Sequence, residues 1–320
     1  MSLLISSSLI IVGFLFLIKG ADWMVNGASS LAKKYNISDL AIGLTIVAFG
    51  TSAPELVVNS IASFDHQSDI VFGNVIGSNN FNLFVILGIV GLIFPIAVQS
   101  TTVWKEIPIS LIAALGLFIL ANGFLFQGGN ILSRFDGLLL FLLFLLFLFY
   151  VYKQLKTDES KIETTNAVSS NLKIWGYIVI GLIGLIIGGK LVVDNAIEIA
   201  TDFGVSKKII GLTIIAAGTS LPELVTSVVA AFKKNSDIAI GNIIGSNIFN
   251  ILFILSISSF INPIEYNIAF NTDIYLLIGG TIFLFIAMFT GEKKKLDRWE
   301  AGILLAVFIG YTIYLIGKEI

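Results

Sequence analysis

Forty residues of this chain occur twice. Gly43–Asn82 reads GLTIVAFGTSAPELVVNSIASFDHQSDIVFGNVIGSNNFN, and Gly211–Asn250 reads GLTIIAAGTSLPELVTSVVAAFKKNSDIAIGNIIGSNIFN. A shift of 168 positions overlays the two without a gap, and about 25 of the 40 aligned positions are identical. Self-similarity of this kind marks a duplicated structural unit. Hydropathy says what the unit is. Only 12% of the residues are charged and 56% are hydrophobic, roughly half the charged fraction of a soluble protein. The apolar runs are longer than the ~18 residues a spanning helix needs and lack strand alternation, so they read as membrane helices and not barrel strands.

Ten such segments follow from the pattern, near residues 3–30, 38–63, 70–95, 103–126, 132–153, 173–199, 206–232, 238–262, 273–291 and 298–317. The start, MSLLISSSLI, has no basic stretch and no clear cleavage site, and reads as the first helix rather than a removed signal. The one long polar stretch, Lys153 to Asn171, suits a flexible linker. The expected fold class is an all-α polytopic membrane protein with ten transmembrane helices. A first five-helix repeat covers 1–153 with its motif at 43–82, a linker covers 154–172, and a second five-helix repeat covers 173–320 with its motif at 211–250. An odd number of helices per half sends the second copy into the membrane from the opposite side, giving inverted-topology repeats as in many secondary transporters. Charge agrees with the inversion, because Asp65-His66 in the outer loop of copy one becomes Lys233-Lys234 in the inner loop of copy two. Duplication kept only for folding is the alternative, but it does not explain why identity concentrates on polar residues inside apolar helices.

Ten helices put both termini on one face. The loops on the other face hold 13 of the 19 basic residues. The positive-inside rule makes those loops cytoplasmic, the 154–172 loop among them, and both termini extracellular in a multi-pass cell-membrane protein. Lys207 and Lys208 are the exceptions. A net charge of -2 argues against nucleic acid as a partner, and the lack of cysteine excludes disulfides and thiolate metal sites. There is no HExxH motif, and the single histidine, His66, excludes a histidine-based relay on this chain, so the expectation is no enzyme. Lys19 with Asp22 and Lys190 with Asp194 stand at helix-pair spacing and are expected to neutralise each other.

The acidic residues within the repeated motifs demand another partner. Gly50-Thr51-Ser52-Ala53-Pro54-Glu55 lies in the second apolar segment and Gly218-Thr219-Ser220-Leu221-Pro222-Glu223 in the seventh. A charged Glu at mid-bilayer costs several kcal/mol, and no basic residue in the matching segments can offset it. A bound cation can. Thr51 and Glu55 are four apart and share a helix face, with Ser52 on the adjoining one. Pro54 removes the helical partner of the Gly50 carbonyl, so a break with free carbonyls is expected there. Oxygens at such a break form a hard site suited to Ca²⁺ and Na⁺. An ordinary kink is the bland reading, which recurrence beside a second Glu disfavours. Ser78 with Asn82, and Ser246 with Asn250, each offer two oxygens from one face of the third and eighth helices, or hydrogen bonds between helices. Asn79, Asn80 and Asn247 fit the interhelical role better.

The duplicated GTSAPE and GTSLPE runs, with GNVIGSN and GNIIGSN, resemble the two α-repeats of the calcium/cation antiporter superfamily, specifically its prokaryotic sodium/calcium exchanger branch. The GNAxE sequence typical of the proton/calcium branch is missing. The resemblance implies a secondary active antiporter exchanging Na⁺ for Ca²⁺ by alternating access and extruding Ca²⁺. It implies no cofactor, Ca²⁺ and Na⁺ as transported ions, a lipid bilayer as surroundings, and a monomer. Carried over by position, Glu55 and Glu223 are the central calcium carboxylates, with the hydroxyls of Thr51 and Thr219. Ser52, Ser78, Ser220 and Ser246 resemble ligands of flanking sodium sites, with the carbonyls of Ala48 and Ala216. Asn82 matches the usual Asn, whereas the position of Asn250 is often Asp. Two carboxylates balance one Ca²⁺ and leave three Na⁺ with excess positive charge. A proton-coupled or K⁺-dependent exchanger is therefore the alternative, and a cation channel the second.

Overall fold

The computed structural model describes residues 3–124, 129–155, 170–204 and 216–319. The expectations for Lys207 and Lys208, for the motif start at 211–215 and for most of the linker fall outside these residues, as does the side chain of Ala216. The apolar segments form helices α1 (Leu3–Tyr35), α2 (Asp39–Thr51), α3 (Ala53–Phe64), α4 (Ser68–Ile93), α5 (Thr102–Ala121) and α6 (Arg134–Leu155). They continue as α7 (Asn171–Asp202), α8 (Leu221–Phe232), α9 (Ser236–Ile261), α10 (Ile268–Ala287) and α11 (Arg298–Glu319). Among the described residues, eight helices are long and apolar enough to cross a bilayer, and α2 with α3 makes a ninth, bent by 47°. α8, with 12 residues, is shorter. The chain is thus an all-helical, multi-span membrane protein.

Local chemistry sets the helix starts. The Ser38 hydroxyl accepts from the Ala41 N–H at 3.2 Å and opens α2. Asp136 accepts from the Ser133 N–H at 2.8 Å before α6, and Glu300 accepts from the Asp297 N–H at 2.8 Å before α11. Each satisfies a backbone donor that a helix N-terminus leaves without an intrahelical partner.

The duplication persists in three dimensions. α3 and α8, and α4 and α9, recur at the sequence offset of 168, including a π-helical turn at 81–86 in α4 and its counterpart at 249–254 in α9. Two short antiparallel ribbons tie the halves together. β1 (Ile96–Ala97) pairs with β4 (Lys295–Leu296), and β2 (Ile131–Leu132) pairs with β3 (Ile264–Glu265). Each ribbon takes one strand from each half.

Burial sorts the helices. The most apolar stretch of α9 is 94% buried and that of α4 72%, against 22% in α1 and 17% in α11. The two polar-rich helices are therefore the innermost, while Phe64, Leu146 and Ile313 stand outward where lipid is the fitting solvent. α1 and α7 pack closely, backbone to backbone. A Cβ on Gly20 would lie 2.7 Å from the Gly181 carbonyl oxygen, and one on Gly181 would lie 2.7 Å from that of Gly20. Only glycine permits this approach.

Three expectations need correction. The helical break falls at Ser52, whose ψ of 8° departs from the helix, and not at Gly50; Ser220 breaks the same way with ψ of 7°. The following Ala53-Pro54 and Leu221-Pro222 open new helices, because proline fits a helix's first turn and not its interior. Asp22 pairs with Lys233 at 2.7 Å rather than with Lys19, since α1 packs against α8. Among the described residues, Lys190 and Asp194 form no ion pair.

Candidate functional site

The two breaks position the two acids. Glu55 and Glu223 each sit in the first turn after their break, and both are 0% exposed. Among the described residues, neither forms an ion pair with a lysine or arginine. An uncompensated buried pair of this kind is costly unless something positive offsets it.

Hydroxyls cross between the halves to reach these acids. Ser52 Oγ donates to Glu223 Oε1 at 3.0 Å, and Ser220 Oγ donates to Glu55 Oε1 at 3.4 Å. Within the second half, Ser246 Oγ also reaches Glu223 Oε1 at 3.5 Å. Thr219 faces Glu55, and Thr51 faces Glu223. Ser78 Oγ lies 3.5 Å from Thr219 Oγ1. Thr51 and Glu55 thus engage the opposite half from either side of a broken helix, rather than from one continuous face.

The asparagines form a matching lattice. Asn79 Nδ2 donates to the Asn247 carbonyl at 3.1 Å, and Asn247 Nδ2 donates to that of Asn79 at 3.3 Å. Asn82 Nδ2 then donates to Asn247 Oδ1 at 3.1 Å, and Asn250 Nδ2 donates to Asn79 Oδ1 at 3.0 Å. These donations fix which end of each amide is which. Asn82 and Asn250 stand in the π-helical turns of α4 and α9, a device common at functional sites.

The lattice leaves specific oxygens over. Glu55 Oε2, Glu223 Oε2, Asn82 Oδ1, Asn250 Oδ1 and Asn59 Oδ1 are buried without a hydrogen-bond partner. Buried polar atoms are nearly always satisfied. Asn59 Oδ1 has no counterpart in the second copy, but the other four are matched, one carboxylate and one amide oxygen from each copy, and such acceptors are chemically suited to a hard cation. Of the other expected residues, the Ala48 carbonyl accepts the Ser52 N–H at 3.0 Å within the helix, and Ala216 opens the short segment Ala216–Gly218.

Sequence reasoning passed over a supporting layer. Thr51 Oγ1 donates to Asn242 Oδ1 at 3.0 Å, and Asn74 Nδ2 donates to Thr219 Oγ1 at 3.3 Å. Asn59 Nδ2 bonds Asn74 Oδ1 at 2.7 Å, and Asn242 Nδ2 bonds Ser227 Oγ at 3.0 Å. Asn74 and Asn242 had a signal, the Gly-Asn identical in both copies. Asn59 and Ser227 occupy the same offset with different residues, so repeat identity is silent there. Asn79 and Asn247 do bond across helices, and in doing so orient Asn82 and Asn250.

Known proteins resemble the chain along nearly its whole length. The sodium/calcium exchanger protein family matches residues 5–153 and 173–317. The CaxA protein of Alkalimonas amylolytica is 39% identical over 322 residues, covering 98% of this chain and 99% of that one. The sodium/calcium exchanger MaX1 of Methanosarcina acetivorans is 31% identical over 348 residues, covering 96% and 97%. The solved structure of the sodium-calcium exchanger NCX_Mj, soaked with zero Na⁺ and Ca²⁺, superposes with a TM-score of 0.82 at 30% identity, covering 98% of this chain and 99% of that one. With the family's match spanning both halves around the crossed carboxylates, the chain belongs to the sodium/calcium exchanger family, whose members are ion transporters and not enzymes.

Proposed function

We propose that this chain is a secondary antiporter exchanging Na⁺ for Ca²⁺ by alternating access. The observation that carries the reading is the crossed pair Glu55 and Glu223, each buried, hydrogen-bonded through one oxygen to the opposite half and bare at the other. Glu55, Glu223, Thr51 and Thr219 hold Ca²⁺, with Asn82 and Asn250 completing the oxygen set. Ser52, Ser78, Ser220 and Ser246, with the carbonyls of Ala48 and Ala216, serve the flanking Na⁺ ions. Two carboxylates match the charge of one Ca²⁺.

The architecture proposed is ten spans in two inverted halves, 1–153 and 173–320, joined by a cytoplasmic linker at 154–172, with residues 206–232 as the span that α8 completes. The shared offset of α3/α8 and α4/α9, the reciprocal hydrogen bonds and the crossed ribbons support it. Loop charge supports extracellular termini. Occupancy by either ion neutralises the carboxylates and permits passage through an occluded state, whereas bare buried charge resists closure; this makes exchange obligatory. The glycine seam between α1 and α7 suits them as the sliding pair. With three Na⁺ per Ca²⁺, one net charge crosses per cycle, worth about 2.3 kcal/mol per 100 mV, and the inward Na⁺ gradient drives Ca²⁺ out. The working unit is a monomer.

The test is ⁴⁵Ca²⁺ uptake into Na⁺-loaded proteoliposomes. Uptake should require internal Na⁺ and collapse in Glu55→Gln and in Glu223→Gln. Wild-type rates in either variant would refute the assignment. A second reading, H⁺ or K⁺ coupling, is favoured by one observation, the neutral amide of Asn250 where a third carboxylate would balance three Na⁺. Uptake that follows a pH or K⁺ gradient and ignores Na⁺ selects it, and flux independent of any counter-ion selects a channel.

A further inference from the structure

Bare buried oxygens gather at a second place, on α5 and α6, which contribute no residue to the cluster around Glu55 and Glu223. Thr101 Oγ1 just before α5, Thr102 Oγ1 and Glu106 Oε2 in its first turns, and both ends of the Gln154 amide near the end of α6 are buried without hydrogen-bond partners. Glu106 is 0% exposed, and its other oxygen accepts from the Tyr150 hydroxyl. Consecutive spans run in opposite directions. With Tyr150 level with Glu106, Gln154 one turn later therefore stands level with Thr102 one turn earlier. A π-helical turn over 102–106 widens α5 at this point, the device that also carries Asn82 and Asn250. Glu106 forms no ion pair among the described residues. Its neighbour Lys105 is exposed and sits over the Tyr150 ring, 5.4 Å from the centroid.

One buried carboxylate oxygen, two hydroxyls and an amide oxygen make a hard donor set with a single negative charge. That charge matches one monovalent ion, whereas a divalent ion would bring excess positive charge into a buried place. We propose that Thr101, Thr102, Glu106 and Gln154 bind an alkali-metal cation at a site separate from the transported ions, clamping α5 to α6.

The test is thermal unfolding of the purified chain carrying Glu55→Gln and Glu223→Gln, so that the central cluster contributes little. Midpoints are compared in NaCl, KCl and N-methylglucamine chloride at equal ionic strength. NaCl or KCl should raise the midpoint by about 5 °C at saturation, the two salts deciding which ion is preferred. Adding Glu106→Gln should abolish the rise. Gln154→Ala, which keeps the carboxylate, should raise the concentration needed by about tenfold. Where Glu106→Gln does not accumulate, Gln154→Ala and Thr102→Val decide the outcome in the same way. Equal midpoints in the three salts overturn the proposal, as does a rise that survives these substitutions. A midpoint that follows pH and ignores the salts assigns a proton to Glu106 and overturns it as well.

Discussion

Replacing Gly181 by alanine tests how closely α1 and α7 pack. The added Cβ would lie 2.6 Å from the Met24 nitrogen and 2.7 Å from the Gly20 carbonyl oxygen, while ordinary contact begins near 3.4 Å. The two helices must part by about 0.8 Å, enough to forfeit a quarter to a half of the dispersion well at each neighbouring contact. The obstructing atoms are backbone, so no rotamer change relieves the clash. Overpacking of this kind costs about 1–3 kcal/mol, opposed by up to ~1 kcal/mol of helix propensity gained by Gly→Ala. Gly176, on the same helix, isolates the second effect, because a Cβ there meets nothing within 4 Å. Gly176→Ala should be neutral or slightly stabilising. Gly181→Ala should melt about 2–6 °C below it, at roughly 2 °C per kcal/mol for a chain of this size. Trp23 on α1 and Trp175 on α7 report the transition by intrinsic fluorescence. A sliding α1–α7 pair adds a functional arm, a slower ⁴⁵Ca²⁺ flux in Gly181→Ala at a temperature where the protein is fully folded. Midpoints of the two variants within about 1 °C of each other, with equal flux, would refute both the packing argument and the sliding role.

The central cluster makes further predictions. Glu223→Gln removes one of two buried charges and should lower Na⁺-dependent ⁴⁵Ca²⁺ uptake by about 10²-fold or more, by the ~3–5 kcal/mol attached to unpairing buried charge. Asn79→Ala frees the Asn250 amide and should weaken Ca²⁺ half-saturation about tenfold, while Asn80→Ala, whose amide reaches the Asp273 carbonyl instead, should change it far less. Ser52→Ala and Ser220→Ala each remove a donor to the opposite carboxylate, so both should shift Na⁺ half-saturation by a similar factor of about five. An effect confined to one of the two would contradict the equivalence of these two crossed hydrogen bonds.

Much of this protein is legible without coordinates, and what is legible shares a cause. In lipid, every spanning backbone must satisfy itself as a helix, so the length of an apolar run already fixes α1, α7 and α11 to within a few residues. Repetition did the rest for the acids. Glu55 and Glu223 stand out because a charge that costs energy to bury appears twice, at the same offset, beside the same hydroxyls. Those inferences need only the chemistry of single segments.

What remained for the tertiary structure depends on which surfaces meet. The break lies at Ser52 and Ser220 because a proline-led helix begins after each, and local rules alone had put it two residues earlier. The partner of Asp22 is Lys233, more than two hundred residues away, and spacing along α1 had pointed to Lys19. Asn59 and Ser227 support the site through the same place in each half with different side chains, which no comparison of the two copies could reveal. The crossing of Ser52 and Ser220 to the opposite half's glutamate, and the bare oxygens that remain, come from how the two halves pack. A sequence states what each copy carries; the hydrogen bonds that cross between the copies exist only once the halves are packed.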